Sequence, residues 1–364
     1  MSNSNLKIYI LGAGCSRDCG YPLAPDMIQH LREFAGNLDA DRAPRVLSNV
    51  RSTLELMERT DHGKIVDTID TLVFKINAGQ FDESNATIGE EMLKRMRLRH
   101  ERIQAAKLAV NAMFQFKEAA ALHGGLKRYR EFLFDLFPDA SRHWFDTTSE
   151  TNNRVLTFNY DRLFELAFHD RFNVDTQQWG FYGQKVLNSG LDHAYYNNIE
   201  FAPDRFCLLK LHGSIGMWVG DDYGEPRHAY QFPAPLSTFE ATDDFYFAEP
   251  ATGSEPFRLK STPLQIFPHE RQFIRGNKSG FLFHRYVENV WKYAEELVAR
   301  AREIVIIGYS FAGIDRQPFL ELLSQAKDCE TICVRNPDAK DICAKVLRNH
   351  SEWSGIIRAD DTGF

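Results

Sequence analysis

The chain has 364 residues, and 43% of them are hydrophobic, which is enough to bury a large core. Its formal net charge of −7 argues against binding nucleic acid through bulk charge. No apolar run approaches the roughly 18 residues that a membrane helix needs, and the first residues lack a signal-peptide pattern, so we expect a cytoplasmic protein. Six sparse cysteines favour reduced thiols over a disulfide scaffold.

Short apolar segments recur along the chain, and each main one ends at a group of glycine or polar residues. The predicted strands lie at 7–11, 154–158, 205–211, 303–307 and 331–335, with a short one at 355–358. Helical patterns separate them, including one at 281–302 and one at 338–349. Strands that alternate with helices predict an α/β fold: a Rossmann-like parallel sheet with helices on both faces. We interpret residues 1–364 as a single domain of this class.

Two segments interrupt the alternation. Residues from about 24 to 145 read as a large helical insertion. Residues from about 220 to 285 are rich in Pro, Phe, Tyr and Thr and predict an irregular insertion within the same domain. The helical insertion carries a basic cluster, which a solvated helix face explains better than a nucleic-acid patch, although the patch stays an alternative. Its members are Lys94, Arg95, Arg97, Arg99 and Arg102.

The candidate functional residues all follow predicted strands, where parallel sheets bind their ligands. Gly12-Ala13-Gly14 follows the first strand and fits either a plain tight turn or the close approach of a diphosphate. Asn159 fits either a local Asx turn or an amide that holds a sugar hydroxyl or a water. His212 fits either a structural histidine or a base that titrates near neutrality.

A metal site is not expected. Cys15 and Cys19 are four residues apart, but no matching pair or histidine cluster follows at zinc-site spacing. Cys329 and Cys333 have the same separation, and packing accounts better for both pairs. A nucleophilic Cys15 ranks low, because the local sequence ties neither a histidine nor an acid to it.

Taken in order, these motifs resemble the sirtuin (silent information regulator two) superfamily. They read Gly12-Ala13-Gly14-Cys15-Ser16, Gly20-Tyr21-Pro22, Thr157-Phe158-Asn159-Tyr160-Asp161, Leu211-His212-Gly213, Gly308-Tyr309-Ser310-Phe311 and Asn336-Pro337. The resemblance is nearer to the sirtuin-like proteins of bacterial anti-phage defence than to the protein deacetylases. Leu23-Ala24-Pro25 stands where the deacetylases carry Asp-Phe-Arg, the four-cysteine zinc ribbon is missing, and the helical segment is longer than theirs.

The resemblance implies a gated NAD⁺ hydrolase that releases nicotinamide and ADP-ribose, with NAD⁺ as substrate and without a metal. Asn159 and His212 would be the catalytic pair. Gly12, Ala13, Gly14 and Ser16 would contact the diphosphate and nearby ribose, and Asp161 would orient Asn159 or the nicotinamide-side ribose. Gly308, Ser310 and Asn336 would hold the adenosine half.

The resemblance also implies partners, and other functions stay open. We expect a homo-oligomer, and a separate partner subunit (an ATPase or another sensor) or a phage trigger, but neither a membrane nor direct nucleic-acid contact. One alternative is an NAD-dependent protein deacylase or ADP-ribosyltransferase. Another is a non-catalytic module that binds NAD⁺ or ADP-ribose and assembles a complex.

Overall fold

The computed structural model forms two compact units. The first comprises Met1–Tyr21, Gly124–Gly213 and Gly280–Phe364, and the second comprises Pro22–His123 and Ser214–Ser279. The structure describes residues 5–59, 68–82, 89–122, 124–138, 151–172, 206–220, 227–228, 243, 261–265, 282–311, 313, 315–348 and 350–362. Within these ranges, no helix combines the length and the apolar character that crossing a bilayer requires.

The strands, in chain order, are β1 (Lys7–Leu11), β2 (Asn153–Thr157), β3 (Leu208–Lys210), β4 (Gly213–Gly220), β5 (Arg227–His228), β6 (Ser261–Gln265), β7 (Glu303–Ile307), β8 (Thr331–Arg335) and β9 (Ile357–Asp360). The helices are α1 (Gly14–Arg17), α2 (Met27–Asn37), α3 (Pro44–Glu58), α4 (Ile69–Asn77), α5 (Glu90–Ala121), α6 (Lys127–Leu136), α7 (Leu163–Phe172), α8 (Leu282–Ala299), α9 (Arg316–Leu323) and α10 (Ala339–Leu347). Short 3₁₀ turns lie at Ala24–Asp26 and Ser351–Trp353.

The first unit is built on a six-stranded sheet in the order β3-β2-β1-β7-β8-β9. Every pairing in it is parallel. In β1, β2 and β7 the last four residues are all buried, so side chains pointing to both faces of the sheet are covered. The prediction of a Rossmann-like parallel sheet is therefore confirmed. The chain leaves β1 in one direction toward β3 and returns to its other side at β7, which places a topological switch point between β1 and β7.

Helix α6 belongs to this sheet unit, although the sequence places it within the helical insertion. Its Phe132 ring packs edge-on against Tyr9 of β1, with ring centroids 5.2 Å apart, and lies 6.1 Å from Phe164 of α7. Part of the abundant phenylalanine therefore serves to attach helices to the sheet. Residues 139–145, the predicted end of the insertion, lie outside the described residues.

The second unit contains α2 to α5 and a smaller sheet in the order β5-β4-β6. The 32-residue helix α5 is its longest described element and packs against α2, α3, α4 and β6. The helical character predicted from about residue 24 is confirmed over the described part of this unit. Most of the predicted irregular segment, 220–285, lies outside the described residues, and β5 and β6 fall within it.

Candidate active site

Parallel pairing brings the predicted site residues to one edge of the sheet. Gly12–Ser16 follow β1, Asn159–Asp161 follow β2, His212 follows β3, and Gly308–Ser310 follow β7. Asn336 comes directly after β8. Because all these strands run the same way, their carboxyl ends share an edge, and the turns after β1 and β7 flank the switch point.

Three glycines allow the turns after β1 and β7 to touch backbone to backbone. Gly12 and Gly14 donate hydrogen bonds to the carbonyl oxygens of Ile307 and Gly308, each at 2.9 Å. A Cβ atom on Gly12 would stand 2.7 Å from the Gly308 oxygen, and one on Gly308 would stand 2.5 Å from the Cys15 nitrogen. Gly308 also has φ of 64°, a conformation that favours glycine. These contacts account for the glycines as a tight loop junction, with Ala13 exposed and Gly14 partly exposed beside it.

The loop after β7 continues in a strained conformation. Phe311 has φ of 52°, in the left-handed region that aromatic residues rarely adopt. Its ring is held between Tyr309 and Phe319, with centroid distances of 5.2 and 4.9 Å. Asn336 donates to the Tyr309 carbonyl oxygen at 3.5 Å and accepts from the Asp338 N–H, whereas Ser310 is exposed. Of the residues predicted for the adenosine half, Ser310 is thus the most accessible.

Ser16 is the centre of a buried hydrogen-bond network. Its hydroxyl donates to Asp161 Oδ2 at 2.7 Å, accepts from Asn159 Nδ2 at 3.2 Å and lies 2.9 Å from the Tyr129 hydroxyl. Burial raises the pKa of Tyr129 well above its usual value, so its phenol stays neutral. Ser16 itself is only 1% exposed, so its hydroxyl links the turns after β1 and β2 within the protein interior.

Asn159 is anchored from one side only. Its Nδ2 donates to the Gly12 carbonyl oxygen at 3.0 Å and to Ser16, on a strand turn far away in sequence. The local turn is made instead by Thr157, whose hydroxyl accepts from the Asn159 N–H at 3.0 Å, so the side chain does not form the Asx turn considered from sequence. The side-chain oxygen Oδ1 is buried and has no hydrogen-bond partner among the described residues, and Asn159 as a whole is 7% exposed.

A buried ion pair supports the turn that carries Asn159 and Asp161. Lys210, the last residue of β3, donates to the main-chain oxygen of Asp161 and lies 3.2 Å from Glu165 of α7. Burial raises the pKa of Glu165, while Lys210 opposes that rise. Asp161 Oδ1 accepts from the N–H of Leu163 at 3.2 Å, at the start of α7. The turn is therefore fixed to β1, β3 and α7 together.

His212 is buried at the end of β3 and faces aromatic rings and one carboxylate. Its ring centroid lies 5.4 Å from that of Phe158 and 6.2 Å from that of Trp291, whose Nε1 donates to the Leu211 carbonyl oxygen at 2.7 Å. Its Nε2 lies 3.3 Å from Asp315 Oδ1, a distance within ion-pair range. Phe158, whose ring contacts that of His212, directly precedes Asn159 in the turn after β2.

The cysteines have structural roles where the structure describes their partners. Cys15 donates to the Ile307 carbonyl oxygen at 3.1 Å, and burial raises the pKa of its thiol well above the usual value, which disfavours a nucleophilic thiolate. Burial likewise raises the pKa of Cys19 to about 12. All six cysteines are free thiols. Among the described residues, no group of three or more His, Cys, Asp or Glu is arranged to hold a metal ion.

Sequence reasoning gave no role to three residues that the structure places at this edge. Tyr129 lies on α6, within the predicted helical insertion, and its contact with Ser16 has no local signal. Lys210 read only as a strand residue. Asp315 follows the Gly308-Tyr309-Ser310-Phe311 motif by a few residues, but nothing in the chain order ties it to His212.

Comparisons with known proteins give matches at the level of structure alone. No family model matches the chain, and no curated protein is significantly similar to it in sequence. Among solved structures, a Sir2 bound to an inhibitor, 2′-O-acetyl-ADP-ribose and a deacetylated p53 peptide matches at 13% identity and TM-score 0.35, over 96% of this chain and 94% of that chain. A Sir2 homologue–NAD complex matches at 13% identity and TM-score 0.36, over 99% and 85%. A mutant Sir2 homologue with ADP ribose matches at 12% identity and TM-score 0.36, over 100% and 88%.

Proposed function

We propose that this protein is an NAD⁺ hydrolase that splits NAD⁺ into nicotinamide and ADP-ribose at the carboxyl edge of its sheet. The observation that carries the proposal is the buried Oδ1 of Asn159, which has no partner in the part of the chain that the structure describes. A buried polar atom without a partner is rare in folded proteins and needs an explanation. Here the other half of the same amide is fixed by Gly12 and Ser16, so an acceptor of fixed position is left at the edge where α/β sheets bind ligands.

The chemistry of NAD⁺ cleavage suits such an acceptor. The nicotinamide ring of NAD⁺ is a cationic pyridinium and departs as a neutral molecule, so the reaction needs no strong acid. The ribose becomes oxocarbenium-like, and the enzyme must position a water beside it. Asn159 Oδ1 can hold that water or a ribose hydroxyl without adding charge. His212 then accepts a proton from the water or the hydroxyl, and Asp161 keeps Ser16 and Asn159 in register.

The remaining assignments follow the sequence motifs. Ala13, which is exposed, and Gly14, which is partly exposed, would meet the diphosphate, while the buried Gly12 and Ser16 would support it from the protein side. Ser310, Gly308 and Asn336 would hold the adenosine half at the far side of the switch point. The role as a gated anti-phage effector, the homo-oligomer and the separate partner subunit or phage trigger remain proposals that rest on the sirtuin-like motifs.

The decisive experiment incubates the purified protein with NAD⁺, alone and with the products of neighbouring genes, and identifies the products by mass spectrometry. We expect equal amounts of nicotinamide and ADP-ribose. An acyl-lysine peptide or a protein acceptor in the same reaction tests the alternatives, because a deacylase or an ADP-ribosyltransferase would change the acceptor's mass. Binding of NAD⁺ without any release of nicotinamide, in every combination, would contradict the proposal and favour a non-catalytic module.

A further inference from the structure

Asp315 meets His212 at the site. Asp315 directly precedes α9, and its carbonyl oxygen accepts from the Phe319 N–H at 3.0 Å, which anchors the residue to the first turn of that helix. Its Oδ1 lies 3.3 Å from His212 Nε2. The His212 side chain is 3% exposed and that of Asp315 is 23% exposed, so the carboxylate is the more solvent-exposed member of the pair.

The other described groups around His212 are aromatic. Phe158 and Trp291 cannot ionise near neutrality, and the Tyr160 ring lies 6.1 Å away by centroid. Tyr309 is an ionisable group on which the Asp315 charge acts. Burial first, and the Asp315 charge second, raise the pKa of Tyr309, so that phenol stays neutral. Among the described residues packed here, Asp315 therefore supplies the negative charge that a protonated imidazole would face.

We propose that Asp315 is a positioning residue that orients the His212 imidazole and stabilises the imidazolium formed during the reaction. The inference rests on the proposed function, because it deepens the role of His212 in that site. The proton moves from the attacking water or a ribose hydroxyl to His212, and the carboxylate stays ionised beside the new cation. The two side chains are in ion-pair range without being aligned as a hydrogen bond, and catalytic pairs of this kind often tighten only in the substrate complex.

The test uses Asp315→Asn, which keeps the shape and removes the charge, and Asp315→Glu, which restores the charge. For Asp315→Asn we expect kcat to fall roughly 10- to 100-fold at neutral pH with little change in KM. The acid limb of the kcat profile should move to lower pH by about one unit, because the lost carboxylate no longer favours protonated His212. Asp315→Glu should recover part of both effects. Asp170→Asn, which removes an exposed carboxylate bonded to Arg130 at 2.9 Å, is the matched control and should change neither.

An NMR titration separates this inference from the proposed function. The His212 imidazole can be followed in labelled protein and assigned among the 12 histidines by the signal lost in His212→Gln. A lower titration midpoint in Asp315→Asn than in the wild type supports the pairing even if the protein fails to cleave NAD⁺. Equal midpoints, or an unchanged acid limb and kcat in Asp315→Asn, would overturn it.

Discussion

Two polar clusters in this protein differ in how their buried hydrogen-bond acceptors are used. In the helical unit, Arg99 donates to both carboxylate oxygens of Asp82 and also to the carbonyl oxygen of Asn77. Arg102 donates to the carbonyl oxygen of Phe81. Arg95 lies 3.4 Å from the same Asp82. These arginines attach α5 to the segment that follows α4, so most of the basic cluster read from sequence has a structural role.

The carboxyl edge of the sheet differs because Asn159 is buried and its Oδ1 meets no partner within the described ranges. The Asn159 amide is held through its Nδ2 by Gly12 and Ser16, whereas no described residue bonds to its Oδ1. The comparison teaches that the cluster with the higher density of charged residues is the weaker candidate for a functional site. A fixed, buried acceptor with unused capacity is the better sign of a site, because such a group costs stability unless a ligand or a water meets it.

The largest expected effect is the loss of NAD⁺ turnover when the Asn159 side chain is removed. Asn159→Ala should fold and lose NAD⁺ turnover by roughly 10²- to 10⁴-fold, since it removes a group that positions the reacting atoms. Asn153→Ala, at the opposite end of β2, is the control. It loses a 3.1 Å hydrogen bond to the Leu136 carbonyl oxygen and should keep its turnover. Steady-state nicotinamide release measures both, and full activity in Asn159→Ala would defeat the assignment.

The second prediction concerns the backbone junction at the same edge. Gly308→Ala combines a left-handed φ with a Cβ 2.5 Å from the Cys15 nitrogen, and we expect it to destabilise the fold by about 2–5 kcal/mol. Gly313→Ala has φ of 76° but meets no atom within 4 Å, so it should cost only about 1–2 kcal/mol. Denaturant unfolding compares them. Equal losses would mean that the two loops separate easily and that their contact is not a rigid junction.

The smallest effect tests the structural role of the arginine cluster. The hydrogen bond from Arg99, with help from Arg95 and Arg102, lowers the pKa of Asp82. A carboxyl group whose pKa is lowered by folding stabilises the fold at pH values above its unfolded-state pKa, which is near 4. That contribution is lost as the pH falls through its folded-state pKa. Asp82→Asn should therefore cost about 1 kcal/mol at pH 7, and the difference from the wild type should disappear in acid.

A control for the acid titration lies on the exposed face of α5, the helix that carries the arginine cluster. Glu101 accepts from Arg97 at 3.0 Å as a solvent-exposed pair, and Glu101→Gln should change stability by no more than about 0.5 kcal/mol at any pH. Unfolding curves from pH 3 to 7 measure both variants. If Asp82→Asn behaved like Glu101→Gln, the cluster would be a solvated helix face after all.

The sequence predicted the sheet and the arrangement at its carboxyl edge to different degrees. The bounds of β1, β7 and β8 match the predicted segments, because a short, mainly apolar segment followed by glycine or asparagine has few alternatives to a parallel strand. The helix assignments over α8 and α10 were right to within a few residues at each end. The attachment of α6 to the sheet unit had no signal, since an amphipathic helix does not encode which surface covers its apolar face.

The sequence by itself determined which residues end the strands, because local apolar runs and turn residues act over a few positions. Only the tertiary structure decided that Asn159 Nδ2 reaches a carbonyl 147 residues earlier, and that Asp315 meets His212. Those contacts depend on strand order, and strand order follows from how the whole core packs. That is why the edge could be predicted from the chain, whereas its unpartnered acceptor and its carboxylate required the fold.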